Sequence, residues 1–561
     1  MDILKKICDW AVTCPNRIAV KSRSGEITYK ELWRYSDHLA DWLLKNTDGD
    51  RSPVAVYGHK HPWMLVCFLA CVKSGRAYCP IDVSVPDARV ESILQALPSK
   101  IILATEQTSV DAGGKRVVGL EELQKIISST VEEVSGTVPE DIWVRGDETY
   151  YIIFTSGSTG TPKGVQITAD CLGHYLDWSV TLGSSAQEKQ GQVFLNQAPF
   201  SFDLSVMDLY TSLAVGGTLY CLEKSVQSDY RALVQELKES EANVWVSTPS
   251  FAEICLSERT FSQEMMPGLQ VFLFCGETLA NKTAGKLQQR FPKAKIVNTY
   301  GPTESTVAVT DVLITPELAG QEQPLPVGRP KMGTYIEIRD EDGKSLPEGE
   351  KGEIVIIGNT VSTGYYGRAD LTEKSFFCCD GMRGYHTGDK GYLQDGMLYY
   401  CGRIDLQIKL HGYRIELEDI ENNIAKVPQI EQAAVVPNYR RGKVSSLTAY
   451  VVKCADNNRS EVMESGKCAN TGSAVSESGQ SVDTGNAVSE SGQYADKADA
   501  AADVRSALKQ FLPDYMIPKK IVFLDKMPVT NNGKVNRKLL TEGILQPDSE
   551  KIRSEQCGGK C

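Results

Sequence analysis

From residue 1 to residue 150 the apolar positions switch between two spacings. Ile3 to Val12 and Glu31 to Leu44 place them on one face at helical period and predict amphipathic helices. SPVAVYGH (Ser52 to His59) and KIILAT (Lys100 to Thr105) are short apolar runs and predict strands. The unbroken run Met64 to Val72 predicts a buried helix. Strands separated by helices predict a largely parallel sheet covered on both faces. The alternation resumes after Lys163, with runs at Val193 to Leu195, Val244 to Ser247, Val271 to Phe274 and Ile296 to Asn298. The expected fold class is α/β, with ligands held by loops that leave the carboxyl ends of the strands.

The texture changes near Val327. GTYIEIRDEDGKSLPEGEKGEIVIIG reads as two strands around an Asp-Gly turn, so residues 327–400 are expected to form a small β-rich subdomain. GRIDLQIKLHGYRIELEDIE (Gly402 to Glu421) leads into a smaller α+β unit. The expected division is a large N-terminal domain, 1–403, and a small C-terminal domain, 404–561, with a hinge near Arg403 to Asp405. Within the small domain, Ser446 to Lys453 predicts a strand and Val504 to Leu512 a helix. Between them, residues 454–502 repeat AVSESGQ and hold almost no large apolar side chain, which predicts a disordered insertion.

Bulk properties narrow the classes. A chain of 561 residues exceeds one core, and 41% hydrophobic with 24% charged content is that of an ordinary globular protein. A net charge of −12 argues against a nucleic-acid binder. No apolar run reaches the ~18 residues that span a bilayer, so no stable membrane insertion is expected. MDILKKICDWAVTCP lacks a signal-peptide apolar region, which makes the cytoplasm the expected location. Sixteen scattered cysteines then read as free thiols, and six histidines show no metal-ligand spacing.

The chemistry concentrates in YIIFTSGSTGTPKGVQI, Tyr151 to Ile167. A short apolar strand opens into Thr155, Ser156, Ser158, Thr159 and Thr161, interleaved with Gly157, Gly160 and Gly164, and Lys163 follows. Glycines let backbone N–H groups converge, hydroxyls add rotatable donors, and a lysine adds a point charge, all of which suit a polyphosphate. Lys163 is followed by Gly164 and not by Ser or Thr, so this is not a Walker A loop. A flexible Ser/Gly linker is the plain alternative, but linkers are seldom launched from a strand and closed by Pro-Lys-Gly. Two further stretches are polar in the same way. NTYGPTE (Asn298 to Glu304) offers an aromatic face, a tight turn, a hydroxyl and a carboxylate, and YHTGD (Tyr385 to Asp389) ends on a carboxylate after a Thr-Gly turn.

The Tyr151 to Ile167 stretch resembles the signature loop of the adenylate-forming superfamily, which includes acyl-CoA synthetases, luciferases and amino-acid adenylation domains. That resemblance implies ATP and Mg²⁺. It places Thr155 and Ser156 at the phosphates and Asn298, Thr299, Tyr300, Gly301, Pro302 and Thr303 around the nucleotide, with Tyr300 stacked on adenine. It makes Glu304 the Mg²⁺ ligand and Asp389 the ribose ligand, supported by Tyr400, Cys401, Gly402 and Arg403 of YCGR. It makes Lys534, in Asn-Gly-Lys, a mobile catalytic lysine that meets nucleotide and substrate. KLHG (Lys409 to Gly412) departs from the commoner Lys-Ile-Arg-Gly by placing His411 where many relatives have arginine.

FSFDLSVMD (Phe200 to Asp208) sets an aspartate in apolar, strand-like sequence, where burial is costly unless it is paired. Pairing with an arginine is the structural alternative. By resemblance to amino-acid adenylating domains, Asp203 binds a substrate ammonium. Cys275 of FLFCGE stands where many such domains have glycine, a wall that narrows the pocket. QAPFSFDLSVMDLY, STPSFAEICL, FLFCGE and NTYGPTESTVAVT together are similar to the family that activates D-alanine for teichoic acid D-alanylation. This similarity adds Val307 as a substrate contact. It implies D-alanine as substrate and a phosphopantetheinylated D-alanyl carrier protein as acceptor, in trans, because no Gly-x-Asp-Ser-Leu site occurs. A ligase for another small amino acid, or an acyl-CoA synthetase of the same fold, is the alternative.

Overall fold

A computed structural model describes residues 1–128, 138–157, 161–404, 407–410, 412–440, 443–453, 500–529 and 535–541, apart from the side chain of Ser228. The chain forms two compact units, one of Met1–Gly157 with Thr161–Ile415 and one from Glu416 onward. The division falls after Ile415, on the C-terminal side of the hinge expected at Arg403 to Asp405. Asp405 itself lies outside the described residues.

The first unit contains two large sheets. One has nine strands, and its central run is parallel: Lys295–Tyr300, Val271–Phe274, Val244–Ser247, Val193–Asn196, Thr218–Cys221 and Ile18–Ser22. The other has six strands, with Val54–Tyr57, Tyr78–Ile81, Ile101–Ala104 and Thr149–Thr155 at its centre. Each apolar run predicted as a strand in this half forms one of these strands, and Val54–Tyr57, Ile101–Ala104, Val244–Ser247 and Val271–Phe274 are buried throughout, as central parallel strands require. The largest core joins side chains from both sheets around helices Trp63–Lys73 and Leu204–Ala214. Every residue from Met64 to Lys73 is buried, as the unbroken apolar run predicts. Helix Tyr29–Asn46 begins at a capping box in which Thr28 and Glu31 satisfy each other's backbone N–H groups.

The β-rich region is a five-stranded antiparallel sheet in which Thr334–Arg339 pairs with Gly352–Gly358, the two strands read from the sequence. The last hairpin of the first unit pairs Gln407–Leu410 with Tyr413–Glu416.

In the second unit, Ile430–Arg440 and Lys443–Lys453 pair antiparallel, and Lys520–Leu524 joins the latter in parallel. Glu421, on helix Leu417–Ile424, accepts from Arg537 Nη2 at 2.8 Å. Most of the expected insertion, 454–499, lies outside the described residues. Residues 500–502 begin a helix that runs to 508, so the helix starts before the expected Val504 and ends before Leu512.

Candidate active site

The strand Lys295–Tyr300 delivers NTYGPTE to the carboxyl edge of the nine-stranded sheet. Its exit is a tight return in which a short 3₁₀ turn, Thr303–Ser305, leads to Thr306 and Val307 at φ 59° and 67°. The chain then rejoins itself as Val309 N donates to Tyr300 O at 2.8 Å. Positive φ at a β-branched residue is strained, at a cost of ~1–3 kcal/mol per residue. Gly301 permits the return: a Cβ there would lie 2.5 Å from Ala308 Cα and 2.9 Å from Val307 O. The outcome is that Asn298 to Val307 are all buried.

One cavity opens on this edge, lined by Asn298, Thr299, Tyr300 and Gly301 with Gly276, Tyr400 and Lys409 among its other walls. Asn298 Nδ2 donates to Pro326 O at 2.8 Å, while its Oδ1 is buried with no partner. Thr299 Oγ1 donates to Phe274 O at 2.9 Å and ties two neighbouring strands together. Tyr300 donates its hydroxyl to Asp389 Oδ2 at 2.7 Å. Burial, followed by the Asp389 charge, raises the Tyr300 phenol far above its ordinary range.

Asp389 and Arg403 are direct cross-strand partners on Met382–Gln394 and Met397–Arg403. Arg403 Nη1 donates to Asp389 Oδ1 at 2.9 Å and to Thr387 O at 2.8 Å. Strand alternation leaves Cys401 exposed between Tyr400 and Arg403, and Gly402 sits beside it at φ 107°.

Asp203 corrects an expectation. It lies not in a strand but at the N-cap of helix Leu204–Ala214, and its side chain makes no cap hydrogen bond. It accepts from Thr303 Oγ1 at 2.6 Å, and among the described residues no lysine, arginine or histidine forms an ion pair with it. The structural alternative, an arginine partner, is thus not what holds it; a hydroxyl does. Burial raises its pKa, against the lowering by the Thr303 hydrogen bond. Cys275 is buried and points its Sγ at Val307 O, 3.6 Å away, so the expected wall residue and the expected substrate contact lie together. Burial also raises the Cys275 thiol.

Glu304 is fully buried. Its Oε2 accepts from Arg414 Nη1 at 2.6 Å and its Oε1 from the Tyr365 hydroxyl at 2.8 Å, with Lys163 Nζ 3.7 Å away. Burial alone would raise this carboxyl, but Arg414, Lys163 and Tyr365 outweigh it and hold the pKa at about 2. Lys163 lies on strand Lys163–Thr168, antiparallel to Thr149–Thr155. Ser156 donates its hydroxyl to Arg414 O at 2.9 Å, and the Thr155 hydroxyl is buried without a partner. Residues 158–160, His411 and Lys534 lie outside the described residues, so the middle of the expected phosphate loop and the expected catalytic lysine are not placed.

Arg414, Tyr365 and Lys409 escaped the sequence reading. Glu277, which takes the N–H groups of Ser250 and Gly412 at 3.0 and 2.6 Å, escaped it as well. The one available signal was Arg414 in YRIE, a cation inside a short strand that follows a glycine turn.

The arrangement offers a slot beside an aromatic ring, a paired carboxylate for a diol, a low-pKa carboxylate for a cation and a buried carboxylate that accepts from a single hydroxyl. The description AMP-binding enzyme fits residues 8–366 as a family. The chain is 44% identical over 545 residues to a D-alanine–D-alanyl carrier protein ligase of Bacillus thuringiensis (strain Al Hakam), covering 97% of this chain and all of that one. Among solved structures it resembles a nonribosomal peptide synthetase protein containing adenylation and PCP domains, with a TM-score of 0.74, 25% identity and coverage of 96% and 84%. It shares its fold with o-succinylbenzoate CoA synthetase of Bacillus subtilis, with a TM-score of 0.75, 20% identity and coverage of 96% and 98%. No helix among the described residues is long and apolar enough to cross a membrane.

Proposed function

The chain belongs to the AMP-binding enzyme family, and on that premise we propose that it joins D-alanine to ATP and passes the product to a carrier protein. The D-alanine carboxylate attacks the α-phosphorus, pyrophosphate leaves, and D-alanyl-adenylate forms. The phosphopantetheine thiolate of a separate D-alanyl carrier protein then attacks the acyl carbon, and AMP leaves as the thioester forms. The use proposed for that thioester is teichoic acid D-alanylation, with the enzyme in the cytoplasm.

The observation that carries this reading is Asp203. The Asp203 carboxylate accepts from the Thr303 hydroxyl and feels the Lys409 and Arg414 charges from further off, yet burial outweighs them, and a substrate ammonium supplies the missing charge. A fatty or aryl acid would leave it unpaired. Cys275 and the strained Val307 carbonyl close the wall at 3.6 Å, which favours a small side chain.

The nucleotide fits the residues present. The unpartnered Asn298 Oδ1 is the acceptor that an adenine amino group needs, and the orphaned Thr155 hydroxyl is a donor for phosphate. Asp389, oriented by Arg403 and Tyr300, presents oxygens to ribose hydroxyls. The residues also suit Mg²⁺. Glu304 is ionised at every working pH, and one hard carboxylate completed by phosphates and waters is the usual Mg²⁺ environment. Among the described residues no cluster of three or more potential ligands exists, so the nucleotide would complete the metal's shell. Bound there, the ion would neutralise phosphate charge. Ser156 and Lys163 orient the phosphates, Asp203 fixes the amine, and the Cys275 wall aligns the carboxylate. Lys534 is proposed to stabilise charge developing at the α-phosphate, on the strength of its Asn-Gly-Lys setting.

Intact-mass analysis of the phosphopantetheinylated carrier, incubated with enzyme, ATP and D-alanine, tests the reading. The expected result is one added alanyl group that neutral hydroxylamine removes. An unmodified carrier, or equal loading by L-alanine, would refute it.

A further inference from the structure

We propose that Lys60 is a positioning residue for the amino-acid substrate: rooted in the six-stranded sheet, it holds Asn196 to Phe200 on the other sheet and so fixes where the Asp203 carboxylate meets the amine. This rests on the reading of Asp203 as the amine ligand and adds the residue that keeps it in place.

Lys60 follows the carboxyl end of strand Val54–Tyr57 and is 1% exposed. The residue before it is tied down on three sides. His59 N donates to Glu106 Oε1 at 2.9 Å, and His59 Nδ1 stands 2.6 Å from Asp82 Oδ2. Lys224 N, just past strand Thr218–Cys221, donates to His59 Nε2 at 2.9 Å. The root of the lysine is therefore fixed between the two sheets. Its tip crosses to the end of strand Val193–Asn196, where Nζ donates to Asn196 Oδ1 and to Ala198 O. The same Nζ lies 4.6 Å from the centroid of the Phe200 ring, so alternate residues of the segment meet one ammonium. A turn in which Phe202 N donates to Pro199 O at 2.9 Å then delivers Asp203. Ser205 Oγ donates to Phe202 O at 2.7 Å and seats the helix that follows.

Burying an ammonium is costly, and a well-packed apolar side chain would serve stability as well or better. The direction of the hydrogen bonds shows what the lysine is for. A lysine present only to neutralise the buried Asp208 would touch it. Here Asn196 stands between them: its Nδ2 donates to Asp208 Oδ1 at 2.9 Å, while Lys60 gives its hydrogen bonds to Asn196 and the loop. Burial raises the Asp208 pKa to about 7, against the lowering by the Lys60 charge. Asp203 caps helix Leu204–Ala214 and Asp208 lies within it. The lysine thus braces that helix through Asn196 and the loop before it through Ala198.

ATP–pyrophosphate exchange and thermal melting on the intact protein test this, with Lys60→Met and with Lys60→Met combined with Asp208→Asn. Lys60→Met keeps the reach of the side chain and removes its donors. It should raise KM for D-alanine by roughly tenfold to a hundredfold, the scale of a displacement near 1 Å, with kcat and KM for ATP unchanged. It should also melt lower, because Asp208 loses its cation. The double variant should regain the melting temperature but not the KM, because Ala198 O still lacks its donor. A folded Lys60→Met with KM for D-alanine unchanged would overturn the proposal. So would an equal rise in KM for ATP, or a double variant that recovers KM along with stability. If circular dichroism shows Lys60→Met unfolded, the double variant decides, and a double variant that also fails to fold makes Lys60 a structural cation and overturns the proposal. Exchange with D-alanine that Asp203→Asn loses and Lys60→Met keeps sinks the positioning role alone, whereas no exchange by wild type with any amino acid sinks the proposed function.

Discussion

Replacing Asp203 by asparagine keeps the shape of the site and removes one charge. Thr303 Oγ1 still has an oxygen to donate to, at the 2.6 Å contact it now makes, so the loop that carries NTYGPTE should keep its place. Stability supports the choice of variant. Burial raises the Asp203 pKa above its ordinary 3.8, so the folded protein holds that proton more tightly than the unfolded chain. Folding stability from this group therefore falls as pH climbs through the window above 3.8, and the cost persists at neutral pH. Asparagine removes that cost, and the melting temperature at pH 7 should stay level or rise. Substrate binding should suffer instead. Leaving one member of a buried charge pair without its partner costs ~3–5 kcal/mol. At ~1.4 kcal/mol per decade, this lowers kcat/KM for D-alanine in pyrophosphate exchange by roughly a few hundred- to a few thousand-fold. Propionate, which lacks the ammonium, is the internal control and should be used no worse by the variant than by wild type. A loss for D-alanine below about tenfold, or an equal loss for both acids, would refute the assignment of Asp203 to the amine.

Cys275→Gly should relax discrimination against L-alanine while D-alanine remains a substrate, because the wall against Val307 recedes; an unchanged stereochemical ratio in exchange assays would count against that wall. Glu304 has its pKa lowered from 4.5 to about 2, so it contributes stability that is complete above 4.5 and lost as pH falls through 2. Urea denaturation from pH 5 to 2 should show this loss in wild type but not in Glu304→Gln, and parallel profiles would contradict the buried Arg414 pair. Lys534→Ala should reduce adenylation by ~10²–10³, the loss typical of one donor to developing charge, yet spare thioester formation from supplied D-alanyl-adenylate. Equal loss in both half-reactions would remove Lys534 from its proposed role.

What the sequence disclosed and what it hid follow from the range of the interactions involved. Val244 to Ser247 and Val271 to Phe274 are legible because parallel strands buried on both faces must be apolar throughout. Helix Leu204–Ala214 is buried at every residue, so it has no polar face to mark a helical period, and FSFDLSV passes for a strand. Ile18–Ser22 lies beside Thr218–Cys221 in parallel, a pairing that no local pattern specifies. The site divides in the same way. Asn298 to Glu304 and Asp389 belong to compact polar motifs, which a sequence displays directly. Arg414 meets Glu304 across 110 residues and Tyr365 meets it across 61, and a lone arginine or tyrosine in a short segment looks like any surface residue. The compact unit extends to Ile415 for the same reason: Gly412 and Arg414 are held by Glu277 and Glu304, far upstream.

The account rests on an enzyme that recognises a small amino acid of D configuration by its ammonium and its narrow wall. ATP–pyrophosphate exchange on the intact protein, run side by side with D-alanine, L-alanine, glycine, L-serine and acetate, tests this most directly. The account predicts D-alanine first. Glycine should follow at a modest disadvantage, since one methyl group is worth about 1–3 kcal/mol. L-alanine should be weaker than D-alanine, and acetate close to background. Preference for L-alanine, or exchange with acetate to match D-alanine, would contradict it.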